Sequence, residues 1–233
     1  MTSLLYPALV SSLIETTITH PIDVIKIYKQ TTTPLTYNWK ILYKGFIPRA
    51  IGNIPSRSVF LFSQDYLQNC IYQFNNDKNN FINNKHSKIN KQVQAIIIPF
   101  YSGLAQTLVD TPIEILKMNQ IIQIKNKNPY KGFMPHFGRN LIFVFFVYNF
   151  KQFGEDNHKR KCYFNTALYG AIGGVMGSYI SHPLDTVKTC IQSNRSYEYF
   201  KLKDYMRGCH LRAGMSMINI FISLYVFESM KKF

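Results

Sequence analysis

Apolar residues cluster in six long segments that alternate with shorter polar stretches along the chain. Most segments reach the about 20 residues that a helix needs to cross the hydrocarbon core of a membrane, although each also carries scattered polar side chains. The six segments span residues 4–30, 49–74, 92–120, 135–153, 163–192 and 209–230. We therefore expect an all-α membrane protein with six transmembrane helices, whose polar faces pack against each other or line a water-filled cavity.

Two polar stretches divide these segments into three pairs. Residues 75–91 are rich in Asn and Lys, and residues 154–161 form a shorter charged stretch. Sequences of this composition are typical of connecting segments. The pattern predicts a single domain over residues 1–233, with repeated units of two helices at about 1–74, 92–153 and 162–233.

Glycines recur at helical spacing in the fifth segment. Gly170 and Gly174 are four residues apart, and so are Gly173 and Gly177. Small residues at this spacing let two helix backbones approach closely in a membrane. We therefore expect the fifth helix to pack tightly against its neighbours through these positions.

A short motif occurs three times, near the ends of the first, third and fifth segments. It reads HPIDVIK at 20–26, TPIEILK at 111–117 and HPLDTVK at 182–188, with a proline, an acid and a lysine at the same spacing. A turn with a basic residue and a glycine follows each copy, and its glycine lies 24, 20 and 25 residues after the proline. This recurrence predicts an internal threefold repeat.

The chain is strongly basic, with 27 Lys and Arg against 12 Asp and Glu and a formal net charge of +15. Such a charge favours anionic partners, which are nucleic acid, anionic lipid or a negatively charged solute. Nucleic-acid binding would need the basic residues on one continuous face, interleaved with aromatic residues. Here they cluster at the ends of apolar spans instead. We therefore expect an anionic small molecule as substrate and no nucleic-acid partner.

The sequence offers no recognisable catalytic or metal centre. It contains no phosphate-cradling glycine loop, no HExxH motif and no recurring nucleophile and base. Its four cysteines are widely separated and form no CxxC pair, which favours reduced thiols in apolar surroundings. We expect no enzymatic activity, no metal and no cofactor. A membrane receptor or structural membrane protein remains the alternative to a transporter.

Three copies of P-x-[DE]-x-x-[KR], each followed by a basic-glycine turn, closely resemble the repeats of the mitochondrial carrier family. The resemblance extends over nearly the whole chain, although the chain is shorter than is usual in the family. It implies a six-helix bundle with threefold pseudo-symmetry that works as a monomer in the mitochondrial inner membrane. The central cavity would open alternately to the two sides of that membrane. Membrane lipid, with cardiolipin as a candidate, is the other implied partner.

The resemblance assigns the repeated charges to a gate on the matrix side. Proline interrupts the hydrogen bonds of a helix and bends it, so each motif is expected to turn its charges toward the bundle axis. The kinks are expected at Pro21, Pro112 and Pro183. The implied ion pairs join Asp23 to Lys117, Glu114 to Lys188 and Asp185 to Lys26. Gln30 and Gln192 stand where family members carry a glutamine that braces a pair, and Ile121 takes this place in the second repeat.

The gate on the cytosolic side is expected to be weaker. Family members end their even-numbered helices with [FY]-[DE]-x-x-[KR], and only the last helix fits fully, as Phe227, Glu228 and Lys231. The second helix has Asp65 but carries Gln68 in place of the base, and the fourth lacks the acid. We expect a lopsided network with a lower barrier to opening on this side.

The resemblance also places the solute contacts on the even-numbered helices, at fixed distances from the repeated glycine. Positions four and seven residues after that glycine lie on one helix face. The candidate solute ligands are Arg49, Arg57, His136, Arg139, Asn140 and Arg212. Two or three guanidinium groups would form a forked clamp for phosphate or carboxylate. The alternative for each arginine is a charge that extends from a helix end toward water.

Two features of the basic residues favour different anions. Of the 27 Lys and Arg, 16 lie within residues 26–49, 117–139 and 188–212, around the expected matrix end of the cavity. This concentration favours multiply charged solutes such as ATP or dATP. An arginine followed by a small polar residue, as in Arg139 and Asn140, is more similar to carboxylate carriers. We expect nucleotide exchange, with carboxylate or phosphate transport as the alternative.

Overall fold

Eight α-helices account for most of the part of the chain that the structure describes. In this computed structural model the described residues are 2–31, 38–79, 86–123, 126–157, 163–195 and 201–230. The helices are α1 (Thr2–Gln30), α2 (Trp39–Leu42), α3 (Phe46–Asn79), α4 (His86–Ile122), α5 (Phe133–Asn157), α6 (Tyr163–Gln192), α7 (Leu202–Tyr205) and α8 (Cys209–Met230). These residues contain no β-strand, which confirms the predicted all-α class.

Each predicted apolar segment coincides with one of the six long helices, so this part of the prediction is confirmed. The expected connecting segments are partly helical. Helix α3 continues to Asn79 and helix α4 begins at His86, so both ends of residues 75–91 are helical. Helix α5 likewise continues to Asn157. The short helices α2 and α7 lie between α1 and α3 and between α6 and α8.

The six long helices form a closed ring. Each packs against the long helix before it and after it in the chain, and α8 returns to pack against α1. Many of the most deeply buried side chains are polar. They include Glu15, His20, Gln30, Thr107, His136 and His182. The interior of the ring is therefore polar, as expected of helices that turn their polar faces away from lipid.

Helix α6 lies close to both of its neighbours through its glycines. A Cβ atom at Gly173 would lie 2.6 Å from the carbonyl oxygen of Phe146 in α5. On the other side, a Cβ atom at Gly170 would lie 2.3 Å from a methyl carbon of Leu224 in α8. A side chain at Gly173 would force α5 and α6 apart because it would meet backbone, whereas one at Gly170 would require Leu224 to move. The close packing predicted from the glycine spacing is thus confirmed.

Three glycines adopt the same left-handed backbone conformation directly before α3, α5 and α8. Their φ angles are +78° at Gly45, +75° at Gly132 and +79° at Gly208. Glycine is favoured there because it has no Cβ atom. A Cβ atom at each would lie 3.3 to 3.8 Å from the carbonyl oxygen of a motif lysine, which is Lys117, Lys188 and Lys26 in turn. The three turns therefore pack against the three motifs at one end of the ring. The threefold repeat of the whole chain stays a prediction.

The motif prolines lie inside helices that continue without interruption. Helices α1, α4 and α6 run through Pro21, Pro112 and Pro183. Before two of these prolines a threonine donates its hydroxyl proton to the preceding turn, from Thr19 to Glu15 O at 2.8 Å and from Thr111 to Thr107 O at 2.6 Å. Such contacts, like proline itself, favour bending. The kinks stay predictions.

Within the described residues, one stretch has the length and apolar composition of a membrane span, Leu202–Val226. Polar side chains lower the hydropathy of the other long helices. In α1, for example, Ser12, Glu15, Thr16 and Thr19 are all buried within the bundle. Six membrane crossings therefore stay a prediction.

Candidate functional site

Six charged side chains from α1, α4 and α6 form a ring of three ion pairs, which we call the charged ring. The Nζ atom of Lys117 lies 2.6 Å from Asp23 Oδ2, and that of Lys26 lies 2.5 Å from Asp185 Oδ2. The third pair joins Lys188 to Glu114. All six side chains are at most 12% exposed. The structure therefore brings these residues together in the pairing that the resemblance implies, whereas their role as a gate stays a prediction.

The two candidate brace residues occupy different surroundings. Gln30 donates from Nε2 to Asp185 Oδ2 at 3.0 Å, and its Oε1 lies 3.1 Å from the hydroxyl of Thr189, which also donates to the carbonyl oxygen of Asp185 at 2.8 Å. Gln192 instead donates to the backbone oxygen of Lys131, at 3.4 Å. Ile121, at the corresponding position of the second motif, packs in an apolar cluster. Of these three residues, Gln30 is thus the one that is hydrogen-bonded to a carboxylate of the charged ring.

Three arginines extend from α3, α5 and α8 toward the charged ring. Arg139 Nη1 lies 3.0 Å from Asp185 Oδ1, and Arg212 Nη1 lies 3.7 Å from Asp185 Oδ2. Arg49 Nη1 lies 3.9 Å from Glu114 Oε1. Asp185 thus has two arginines beside it in addition to its ion pair with Lys26.

A cavity with both polar and apolar lining residues adjoins the charged ring and shares Lys26 with it. It has a volume of about 100 Å³ and is lined by Lys26, Gln106, Arg139, Asn140, Phe143, Arg212, Met215, Ser216 and Asn219. A smaller cavity of about 40 Å³ lies at the ring itself. Together the two are lined by six basic and three acidic residues, an excess of three positive charges. Asp110, which interacts electrostatically with His136, Arg49 and Arg139, reduces this excess to two.

Two buried polar atoms in the larger cavity have no hydrogen-bond partner among the described residues. They are the amide oxygen of Asn219, Oδ1, and a guanidinium nitrogen of Arg212, Nη1, whose carboxylate neighbour Asp185 lies at 3.7 Å, beyond hydrogen-bond distance. Leaving such groups without partners is costly, so polar groups of this kind usually meet a ligand or water. The cavity is thus suited to an anion that also accepts and donates hydrogen bonds.

Residues 159–233, which include the third motif with Asp185 and Lys188, match the family model described as mitochondrial carrier protein. This third of the chain is therefore similar to the mitochondrial carrier family. Proteins of that family are transporters and not enzymes. A search of curated proteins finds no match.

Several of the expected site residues fall outside what the structure describes. Lys231 lies beyond the described residues, and so do the side chains of Asp65, Glu228 and Arg57. The cytosolic network expected from the first three, and the solute contact expected at the fourth, therefore stay predictions.

The end of the helix ring remote from the charged ring is held in part by neutral groups. Tyr148 Oη accepts hydrogen bonds from Gln68 Nε2 at 3.4 Å and from Gln152 Nε2 at 2.7 Å. We call these three residues the tyrosine contact, and it joins α3 to α5. Apolar side chains of α3, α5 and α8 lie beside it. They are Phe60, Val147, Ile220 and Leu224.

Sequence reasoning missed several polar residues of the cavity. Gln106 and Asn219 line it, and Asp110 lies near its arginines. For Asp110 a signal was available, because it stands two residues before the motif proline, where the other copies have Thr19 and Ser181. Ser181 accepts a hydrogen bond from Arg212 Nη2 at 3.0 Å. Gln106 and Asn219 offered no comparable signal.

Proposed function

We propose that the protein, called the carrier from here on, belongs to the mitochondrial carrier family and exchanges multiply charged anionic solutes across the mitochondrial inner membrane by alternating access, with nucleotides such as ATP or dATP as the first candidates. The excess of positive charge around the two adjoining cavities carries this proposal, because Arg139 and Arg212 line the larger cavity and Arg49 lines the smaller one. Guanidinium groups bind phosphate and carboxylate through paired hydrogen bonds. Several such groups around one cavity suit a solute with several negative charges better than a singly charged one.

The contacts of Asp185 suggest how a solute would open the charged ring. Asp185 has Lys26, Arg139 and Arg212 as cationic neighbours and also accepts a hydrogen bond from Gln30. An anion in the cavity would compete with Asp185 for the two arginines. Its binding would therefore remove two of the attractions that hold α5 and α8 to α6. A solute shifts a conformational equilibrium through this kind of difference in interaction between two states.

Carboxylate transport is the second candidate. Arg139 already holds a carboxylate in the structure, that of Asp185, at 3.0 Å. A dicarboxylate or oxo-acid could replace it with similar geometry. Because one chain encloses the whole cavity, we also propose that the carrier works as a monomer.

Uptake into liposomes tests the proposal. Purified carrier is reconstituted, and entry of labelled ATP, dATP, TTP, phosphate and 2-oxoglutarate is measured with and without the same solute inside. We expect nucleotide uptake that internal nucleotide stimulates and that Arg139→Ala abolishes. The matched control is Arg207→Ala, because this arginine pairs with Asp204 at 2.8 Å and has a side chain that is 45% exposed.

Other outcomes would redirect the proposal. Uptake of oxoglutarate or phosphate alone would replace nucleotides by those anions and retain the cavity as the site. Absence of uptake for every solute would contradict transport and favour a receptor or structural protein.

A further inference from the structure

We propose that Thr107 and Thr111 of α4 act through Asn140 and His136 of α5 to aim the guanidinium group of Arg139 into the cavity. Asn140 and His136 are then positioning residues and not solute ligands. This inference rests on the proposed function, since it concerns the arginine that would meet the solute. We call the four residues the arginine frame.

The first arm of the arginine frame fixes the orientation of the Asn140 amide. Thr107 Oγ1 lies 2.6 Å from the carbonyl oxygen of Gly103. A carbonyl only accepts, so the single hydroxyl proton of Thr107 must point to it. Thr107 Oγ1 therefore accepts the hydrogen bond from Asn140 Nδ2, at 3.0 Å. The amide oxygen of Asn140 is turned the other way, toward Arg139.

That amide oxygen holds one edge of the guanidinium group. Asn140 Oδ1 accepts from Arg139 Nε at 3.0 Å and from Arg139 Nη2 at 2.5 Å. Both bonds involve a charged donor, which makes them stronger than bonds between neutral groups. With its amide engaged on both sides, Asn140 has little capacity left for a solute.

The second arm fixes the tautomer of His136 by the same reasoning. Thr111 gives its proton to the carbonyl oxygen of Thr107 at 2.6 Å, so its Oγ1 accepts from His136 Nδ1 at 3.0 Å. The proton of the neutral imidazole is then on Nδ1, and Nε2 is an acceptor. Arg139 Nη2 lies 3.0 Å from this Nε2 and can only donate. In both arms, therefore, a residue of α5 turns a hydrogen-bond acceptor toward Arg139.

The guanidinium group of Arg139 is thus held along one edge, whereas its other end can exchange Asp185 for a solute. Nε and Nη2 are bound by the arginine frame, whereas Nη1 faces Asp185 Oδ1 at 3.0 Å and Glu114 Oε1 at 4.0 Å. The side chains that form the frame are almost completely buried, with exposed fractions of 0 to 2%. A buried and fully bonded network of this kind restricts the orientation of the group that it holds.

The first and third motifs differ from the second in the residue before the proline. His20 and His182 stand there, and each has Nε2 at hydrogen-bond distance from a carbonyl of its own turn, Lys44 O at 3.1 Å and Arg207 O at 2.9 Å. The second motif has Thr111 at this position, and its partner is a side chain of α5. The second arm of the frame therefore exists only around the second motif, among the described residues.

The arginine itself is displaced in the same unit. Four residues after the turn glycine the first and third units have Arg49 and Arg212, whereas the second has His136. Its arginine comes three residues later, at 139, about 4.5 Å further along the helix. The second unit thus differs from the other two at three linked places. It has Thr111 instead of histidine before the proline, His136 instead of arginine four residues after the glycine, and its arginine at 139. These differences favour a linked set of residues over four independent contacts.

The first unit supplies a natural control. Thr16 Oγ1 donates to Ser12 O at 2.6 Å and accepts from Asn53 Nδ2 at 2.6 Å, as Thr107 does with Gly103 and Asn140. The residue before this asparagine is Gly52, which has no side chain to aim. The same hydrogen bond from an asparagine amide to a threonine hydroxyl therefore joins two helices in both units, next to an arginine in the second unit and next to a glycine in the first.

Transport kinetics of Thr107→Val and Thr16→Val in liposomes test the inference. Each change removes one hydroxyl and preserves the shape of the side chain. We expect Thr107→Val to raise KM for ATP roughly tenfold with a smaller change in kcat, since hydrogen bonds to a charged group are weakened. Thr107→Ser should restore KM, and Thr16→Val should leave it within about twofold of the wild-type value. Equal KM increases for the two valine variants would overturn the inference.

A second comparison separates positioning from direct binding. Lysine has no planar guanidinium group, so the Arg139→Lys variant lacks the group that the arginine frame holds. We expect Thr107→Val and Asn140→Leu to have little further effect on KM there, because residues that act through one group are not additive. A full tenfold increase with Asn140→Leu in this background would make Asn140 a solute ligand and overturn the inference.

A measurement without solute distinguishes failure of the arginine frame from failure of the proposed function. The Nε–H resonance of Arg139 in the detergent-solubilised carrier, assigned by its loss in Arg139→Lys, reports the bond to Asn140. We expect Thr107→Val to shift this resonance and speed its exchange with water, and Thr16→Val to leave both unchanged. An unaltered resonance in Thr107→Val would refute the frame whether or not the wild type transports ATP.

Discussion

At one end of the bundle six charged side chains pair between α1, α4 and α6, whereas at the other end a tyrosine hydroxyl links α3 to α5 through two glutamines. The charged ring is buried, and removing one partner from a buried ion pair leaves an uncompensated charge. A neutral hydrogen bond contributes much less. If the charged ring is a gate, as we propose, opening it would need a compensating charge, which an anionic solute can supply. The three residues of the tyrosine contact are neutral, so separating them needs no such charge.

The largest effect is expected when Asp185 of the charged ring is replaced. Asp185→Asn leaves Lys26, Arg139 and Arg212 without their shared carboxylate. We expect loss of uptake and a free energy of unfolding lowered by about 3–5 kcal/mol, as for other broken buried ion pairs. Thermal unfolding in detergent measures the change. Asp204→Asn breaks the more exposed pair with Arg207 and should lower the stability by about 1 kcal/mol or less.

A smaller effect is expected at the brace. Gln30→Leu removes the hydrogen bonds to Asp185 and Thr186, at 3.0 and 3.3 Å. A bond to a charged group contributes about 1.5–3 kcal/mol, so the unfolding free energy should fall by that amount. Gln192→Leu provides the comparison, because Gln192 donates to a backbone carbonyl instead. Equal losses in the two variants would contradict a special role for Gln30 at the charged ring.

The tyrosine contact should be less sensitive. Tyr148→Phe removes the acceptor for Gln68 and Gln152 and preserves the buried ring. We expect the free energy of unfolding to fall by about 1 kcal/mol, the usual contribution of neutral hydrogen bonds. A loss as large as that of Asp185→Asn would remove the contrast between the two ends.

The smallest expected effect concerns the rate of exchange. Gln68→Lys introduces the base that the resemblance to mitochondrial carriers implies at this position, and we expect it to strengthen closure of the end with the tyrosine contact. One partly exposed ion pair contributes roughly 0.2–1 kcal/mol, so exchange should slow by up to about fivefold. Unchanged exchange kinetics would count against a low barrier at this end.

The helices and the charged ring could be predicted because their signals are local and repeated. A segment of about 20 apolar residues predicts a helix by its length alone. The pairing of Asp23 with Lys117 followed from a resemblance based on the triplicated motif. Both kinds of inference use positions along one helix and need no knowledge of how neighbouring helices are rotated.

The arginine frame could not be predicted in this way. Counting from the turn glycine placed His136, Arg139 and Asn140 in a candidate solute site, but it gave no information about what α4 presents to them. Thr107 carries no charge and lies outside the motif, and Thr111 is an uncharged residue where the other two copies have histidine, so neither predicted a contact with α5. Only the rotation of α4 against α5 shows that their hydroxyls meet the amide and the imidazole.

The gate function of the charged ring is tested most directly by exchanging the charges of Asp23 and Lys117. This pair suits the test because a lysine at 185 would face two arginines, Arg139 and Arg212, whereas the arginine near Asp23 is Arg49. Uptake of labelled ATP into liposomes is measured for Asp23→Lys, for Lys117→Asp and for the double variant. We expect each single variant to lose uptake and the double variant to recover a substantial part of it. A double variant as inactive as the single ones, although correctly folded and inserted, would contradict a gate built on these ion pairs.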